Sequence, residues 1–126
     1  MRAVILAIVL AFGVSAANAH EMTPTYPTLV PSHVDGLLKA TMQMFNRRAD
    51  VEYYEVGVFD ENFEPVPFVT AYNIFKLDYQ SHTSFDIYIR ASDRDRAAYI
   101  CSRSKIRKGS EIRTAVSSKI CSKIKK

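Results

Sequence analysis

From residue 38 to residue 101 the chain repeatedly alternates apolar with polar residues and never settles into a helical period. Leu38, Ala40, Met42 and Met44 alternate with Lys39, Thr41 and Gln43. Successive side chains of a strand point to opposite faces, so this pattern predicts a strand with one buried face. Residues 51–59 repeat it, with Tyr54, Val56 and Val58 on one face and Tyr53, Glu55 and Gly57 on the other. Residues 68–72 and 74–77 read as two short extended pieces. Phe85, Ile87 and Ile89 then alternate with Ser84, Asp86, Tyr88 and Arg90 in the cleanest strand of the chain. Residues 97–102 form a further strand and residues 115–124 return, with Val116, Ile120 and Ile124 on one face and Cys121 on the other. Asp60-Glu61-Asn62, the polar run 80–83, the charged run 92–96 and Lys108-Gly109-Ser110 separate these pieces as turns. About seven short strands without a helix predict an all-β sandwich, with a closed barrel as the structural alternative.

Residues 1–19 read as an export signal: Arg2 gives the positive start, residues 3–14 the apolar core, and Ala17-Asn18-Ala19 a small-x-small cleavage site. The apolar core is shorter than the ~20 residues a membrane helix needs, and no later segment is long and apolar enough. Residues 20–33 carry Pro24, Pro27 and Pro31 and read as an extended arm or edge strand, because each proline removes a ladder donor. Residues 34–126 are expected to form one sandwich domain.

Two cysteines, Cys101 and Cys121, fit one disulfide in an exported chain. They lie at equal distances from residue 111, on strands that flank one turn, so they are expected to face each other across the last hairpin. Closing a loop of that length contributes roughly 3 kcal/mol in the chain-entropy description. Charge is uneven. Residues 20–101 hold 7 basic and 12 acidic groups, whereas residues 102–126 hold 9 basic groups against Glu111 alone. The basic end lacks the interleaved aromatics of a nucleic-acid strand binder, so an anionic surface or a partner carboxylate is the expected target and nucleic acid is not.

Asp95-Arg96-Ala97-Ala98-Tyr99-Ile100-Cys101 has the D-x-A-x-Y-x-C spacing of the sixth strand of immunoglobulin-type sandwiches, without the earlier cysteine of that signature. A wider resemblance runs from about Val30 to Ile124. Pro31-Ser32-His33-Val34, then Phe45-Asn46-Arg47, then Pro67-Phe68-Val69-Thr70-Ala71-Tyr72-Asn73-Ile74-Phe75-Lys76-Leu77, then Ile89-Arg90 and Asp93-Arg94-Asp95-Arg96 follow in order. In that order they resemble the N-terminal immunoglobulin-like domain of the periplasmic pilus (chaperone–usher) chaperones. The resemblance implies an immunoglobulin-like β-sandwich of about seven strands. It implies a non-enzymatic module that binds an exported protein subunit or surface protein by strand addition. It also implies a disulfide between the sixth and seventh strands, as one subfamily has. The family's anchor arginine falls at His33 here, and imidazole holds an anion only when protonated. The family's anchor lysine corresponds to Lys119, Lys123 or Lys125. Members of the family carry a second sandwich domain, and only the first is expected here.

The residues expected to bind the partner are therefore His33, Lys119 and Lys123 for anionic groups and Val116 and Ile120 for strand pairing. Two other readings stand beside this one. The first is a small structural module on a cell or virion surface. The second is a periplasmic copper protein in which His20, exposed as the new N-terminus by cleavage after Ala19, binds the metal. Outside that alternative no cofactor is expected. A G-x-S-x-G elbow, an H-E-x-x-H motif and a phosphate-binding glycine loop are all missing from the sequence, so no enzyme activity is expected.

Overall fold

The computed structural model describes residues 19–105 and 117–126. The expected export signal except Ala19, the turn expected at 108–110 and Val116 lie outside these residues. Eight strands and one short 3-10 turn make two antiparallel sheets. In the first sheet β3 (Leu37–Phe45) pairs along its whole length with β6 (His82–Arg90), Leu37 opposite Arg90 and Phe45 opposite His82. The other edge of β3 takes β1 (Glu21–Thr23) at one end and β2 (Val30–Pro31) at the other. The second sheet has the order β5 (Ile74–Lys76), β4 (Tyr53–Phe59), β7 (Tyr99–Lys105), β8 (Lys119–Lys123). This is the all-β sandwich that the alternation predicts. Counting β1 and β2 as two halves of one arm gives seven strands.

The inward faces are the ones the period of two assigns. Ala40, Met42 and Met44 of β3, Tyr54, Val56 and Val58 of β4, Ile87 and Ile89 of β6 and Ile100 of β7 form one buried cluster. Leu38, Phe85 and Ile120 pack against it half-buried.

The arm does more than edge the first sheet. Between β1 and β2 it bulges toward the second, where Thr25 and Pro27 carbonyls accept the main-chain N–H groups of Lys123 and Lys125. Pro27 and Leu29 are buried on the way. The arm thus closes one side of the sandwich, and Pro27 sits where a carbonyl is needed rather than a donor.

Several boundaries differ from expectation. Residues 68–72 are not a strand: only Val69 pairs, in a bridge with Tyr88. This segment crosses from the first sheet to the second, so it cannot follow either edge, and Pro67 has no N–H to give. Strand β7 starts at Tyr99 rather than 97, because the Ala97 N–H closes a turn onto the Asp93 carbonyl. The charged run holds a 3-10 turn, Ala91–Asp93, in which Asp93 pairs with Arg90 at 2.9 Å and Arg96 at 3.7 Å.

Candidate functional site: the edge of β8 and the polar cluster beneath it

In the register of β7 with β8, Ile100–Ser122 and Ser102–Ile120 are the hydrogen-bonded pairs, continuing Ala98–Ile124 and Ser104–Ser118. Even-numbered main-chain groups of β8 therefore point to β7 and odd-numbered ones point away from the sheet. The outward N–H groups of Lys123 and Lys125 are taken by the arm. Those of Lys119 and Cys121 have no main-chain acceptor among the described residues. Strand β1 pairs with β3 and runs alongside here without a main-chain bond to β8. Half of the β8 edge is covered and half is open.

Beneath the open half lies a buried polar cluster. His20 is 1% exposed. One ring nitrogen lies 2.9 Å from Ser118 Oγ and the other 2.7 Å from Ser102 Oγ. Its ring sits 4.7 Å from that of Tyr54. Burial lowers its pKa to about 4, with hydrogen bonding at Ser102 opposing the shift and the Arg48 charge adding to it. The ring is therefore neutral at pH 7, one nitrogen donating and the other accepting.

Arg48, buried as well, donates from Nε and Nη2 to the two oxygens of Asp50 at 3.0 and 2.7 Å, and from Nη1 to Ser118 Oγ at 3.4 Å. The Asp50 carboxylate raises the pKa of Arg48 further. Tyr54 donates to Asn46 Oδ1 at 2.5 Å, and burial pushes its pKa up to about 12. Asn46 also accepts from the Arg48 N–H at 2.8 Å and donates to the carbonyls of Val51 at 2.7 Å and Leu77 at 2.8 Å. Every buried side-chain nitrogen and oxygen among the described residues has a partner. The cluster ties β1, β4, β7, β8 and the loop after β3 together at one end of the sandwich.

The expected site residues divide over this frame. Cys101 and Cys121 are bonded and face each other in a non-hydrogen-bonded pair, with Cα atoms 4.0 Å apart. Ile120 turns inward against the core, and Cys121 lies on the opposite face. Lys119 and Lys123 are exposed on the outer face of β8, and the Lys119 ammonium sits 5.3 Å from the centre of the Phe59 ring and 5.1 Å from that of Phe63. His33 is not with them. It follows β2 of the first sheet, with its ring edge-on to Tyr88 of β6, whereas Lys119 lies in the second sheet. The two are not brought together around one anion. His20 has both ring nitrogens occupied by serine hydroxyls, so a metal bound there would displace one of them. His33 and His82 lie at opposite ends of the first sheet, and among the described residues no three metal-ligating side chains of His, Cys, Asp and Glu gather.

Sequence reading missed Arg48, Ser102 and Ser118, which carry no motif. Asn46 closing an alternating strand was the one available signal. A groove of about 800 Å³ also opens between β5 and β6, lined by Tyr72, Ile74, Phe75 and Phe85.

No family model matches the sequence, and no curated protein matches it. Among solved structures, that of the E. coli chaperone DraB superposes with a TM-score of 0.64 at 19% identity, over 84% of this chain and 53% of DraB. The fold is that of one chaperone domain. It is the fold implied by the resemblance to the N-terminal domain of pilus chaperones, and the chain spans about half the length of DraB. No helix among the described residues is long and apolar enough to cross a membrane.

Proposed function

We propose that this protein is an exported, non-enzymatic protein-binding module that recognises an exported partner by strand addition at β8. The supporting observation is the half-open edge. The arm pairs with β8 only from Lys123 onward, and the outward N–H groups of Lys119 and Cys121 remain to be taken by another chain. Added strands gain affinity from main-chain bonds and specificity from the side chains beside them. Lys119, beside the open groups, offers a cation to an acidic group on the partner. The disulfide at Cys121 and the polar cluster beneath hold the edge in its extended form, so little order has to be acquired on binding. Likeness of fold to DraB supports a chaperone-like role.

The test is co-purification of the oxidised protein with an exported subunit, followed by amide hydrogen exchange on the complex. Strand addition predicts slowed exchange at Lys119 and Cys121 when the subunit is bound. A subunit that binds while those two amides exchange at the free rate would rule out pairing at β8.

A further inference from the structure

Strand β6 is nine residues long and has a partner strand, β3, on one side only. The other edges of the two sheets are blunted. Strands β1, β2 and β5 are two or three residues long, and β8 carries Lys119 and Lys123 and is covered by the arm from Lys123 onward. Short length, lysines and covering segments are what keeps an edge from pairing with another chain. Strand β6 has neither lysine nor proline. Its odd-numbered main-chain groups bond to β3, as the flanking bonds at Ser81 and Ala91 show, so its even-numbered groups point away. Tyr88 exchanges both of its outward bonds with Val69, and the Asp86 carbonyl accepts from the Thr70 hydroxyl. The outward N–H groups of His82, Ser84 and Asp86 and the carbonyls of His82 and Ser84 have no partner among the described residues. Apolar surface gathers on the same side: Val69, Tyr72, Ile74 and Tyr79 are all exposed. The groove between β5 and β6 opens there, with the Phe75 and Phe85 rings 5.7 Å apart in its lining.

We infer that β6 pairs with β6 of a second copy of the chain, antiparallel, about a two-fold axis through Ser84. The free stretch 82–86 is centred on Ser84, so this register pairs it along its whole length and makes no demand on the edge at Tyr88, which Val69 holds. Ser84 then lies opposite Ser84, and His82 of each copy lies opposite Asp86 of the other, all in hydrogen-bonded pairs. Opposite side chains share a face at ~5 Å between Cβ atoms, so the imidazole of one copy reaches the carboxylate of the other, twice. Thr41 occupies one oxygen of Asp86 at 2.6 Å, and the second oxygen can accept from the imidazole N–H. Registers shifted either way leave free groups unpaired, and one centred on Asp86 also opposes the two carboxylates. Thr83 and Phe85 of each copy stand on the groove side of the joined sheet, where they cover apolar surface of the other copy. The pairing is isologous and closes at two. Strand β8 is the edge of the second sheet farthest from β5, so the inference stands apart from strand addition at β8.

Sedimentation of the oxidised protein over rising concentration, with amide hydrogen exchange on the same samples, tests this. A dimer is expected, with exchange at Ser84 and Asp86 slowing as it forms. Ser84→Pro removes only an N–H directed away from β3, so the β3–β6 ladder is kept, and the variant should be a folded monomer with the far-ultraviolet circular dichroism of wild type. His82→Glu sets carboxylates face to face twice per dimer, and Asp86→Lys replaces the acceptor by a cation beside the imidazole. Each should weaken the dimer about tenfold. Mixing these two variants should restore it, because both contacts then join a carboxylate to a cation or an imidazole. A wild-type chain that stays monomeric overturns the inference, including one whose Ser84 and Asp86 amides are slowed only by an added exported subunit. So does a dimer that folded Ser84→Pro leaves intact, or one that slows exchange at Lys119 and Cys121 instead. Should Ser84→Pro fail to fold, the charge variants decide, and a mixture that pairs no better than either alone overturns the inference.

Discussion

His20 owes its charge state to the removal of water from around its ring. Its folded pKa of about 4 lies below the ordinary 6.5, so the unfolded chain binds the proton more readily. The sign follows: this group's contribution to stability is complete above pH 6.5 and is lost as pH falls toward 4. The full loss is on the order of 3 kcal/mol. His20→Gln, which keeps hydrogen-bonding capacity near Ser102 and Ser118 but does not titrate, should flatten the fall in urea-unfolding stability between pH 6.5 and pH 4 relative to wild type. An equal fall in both proteins would mean that His20 is not the group responsible. Asn46 has the heavier structural role. Its amide serves two carbonyls, a main-chain N–H and the Tyr54 hydroxyl, and Asn46→Ala leaves several buried groups unpaired. A loss of about 3 kcal/mol in chemical denaturation is expected. Little of this was legible in the sequence. A histidine near an expected N-terminus reads as a metal ligand because nothing local shows that serines 82 and 98 positions later will meet its ring. Short polar residues on strands carry no periodic signal, whereas buried aliphatics do.

Strands were legible where one face is core and the other solvent. The alternation in β3, β4 and β6 follows burial along most of each strand, since the period of the side chains equals the period of the pleat. It failed at 68–72, where Phe68 and Val69 look like strand residues but the chain is changing sheets, a fact that resides in distant partners. The β7–β8 hairpin was legible for a different reason, because two cysteines at matched distances from a turn define a register. That register is observed, with Cys101 opposite Cys121. The disulfide closes the loop containing residues 106–116, and its chief effect is to restrict the unfolded chain. Replacing both cysteines, Cys101→Ser/Cys121→Ser, should cost about 3 kcal/mol in urea unfolding while leaving the far-ultraviolet circular dichroism of the folded protein unchanged. Because β8 is an edge strand held on its outer side only from Lys123 onward, the same substitution should speed amide exchange in β8 more than in β4. Equal acceleration in both strands would show that the bond stabilises the sandwich uniformly rather than the edge.

At the scale of the whole molecule, the two sheets are joined along one side by a single stretch of chain. The arm pairs with β3 at both ends and with β8 in between, and it buries Met22, Pro27 and Leu29 as well as His20. Its sequence suggested an accessory edge, because prolines argue against a ladder. They do not argue against accepting hydrogen bonds or filling a seam, and the carbonyls of Thr25 and Pro27 do the pairing. Deleting residues 20–29 would strip the apolar cover from one side of the core and unpair Lys123 and Lys125, so that the whole of β8 became a bare edge. Burial of the lost apolar side chains contributes about 5 kcal/mol, comparable with the entire stability of a domain this size, about 5–15 kcal/mol. The deleted chain should show no cooperative thermal transition and should aggregate through the uncovered strand. Leu29→Ala separates the contribution of packing from that of the main chain. It keeps the arm's hydrogen bonds and should still melt cooperatively, with a loss of about 2–4 kcal/mol. If instead the deletion melted as a folded monomer, the arm would be a removable flap, and a partner strand could claim all of β8 by displacing it rather than only the open half.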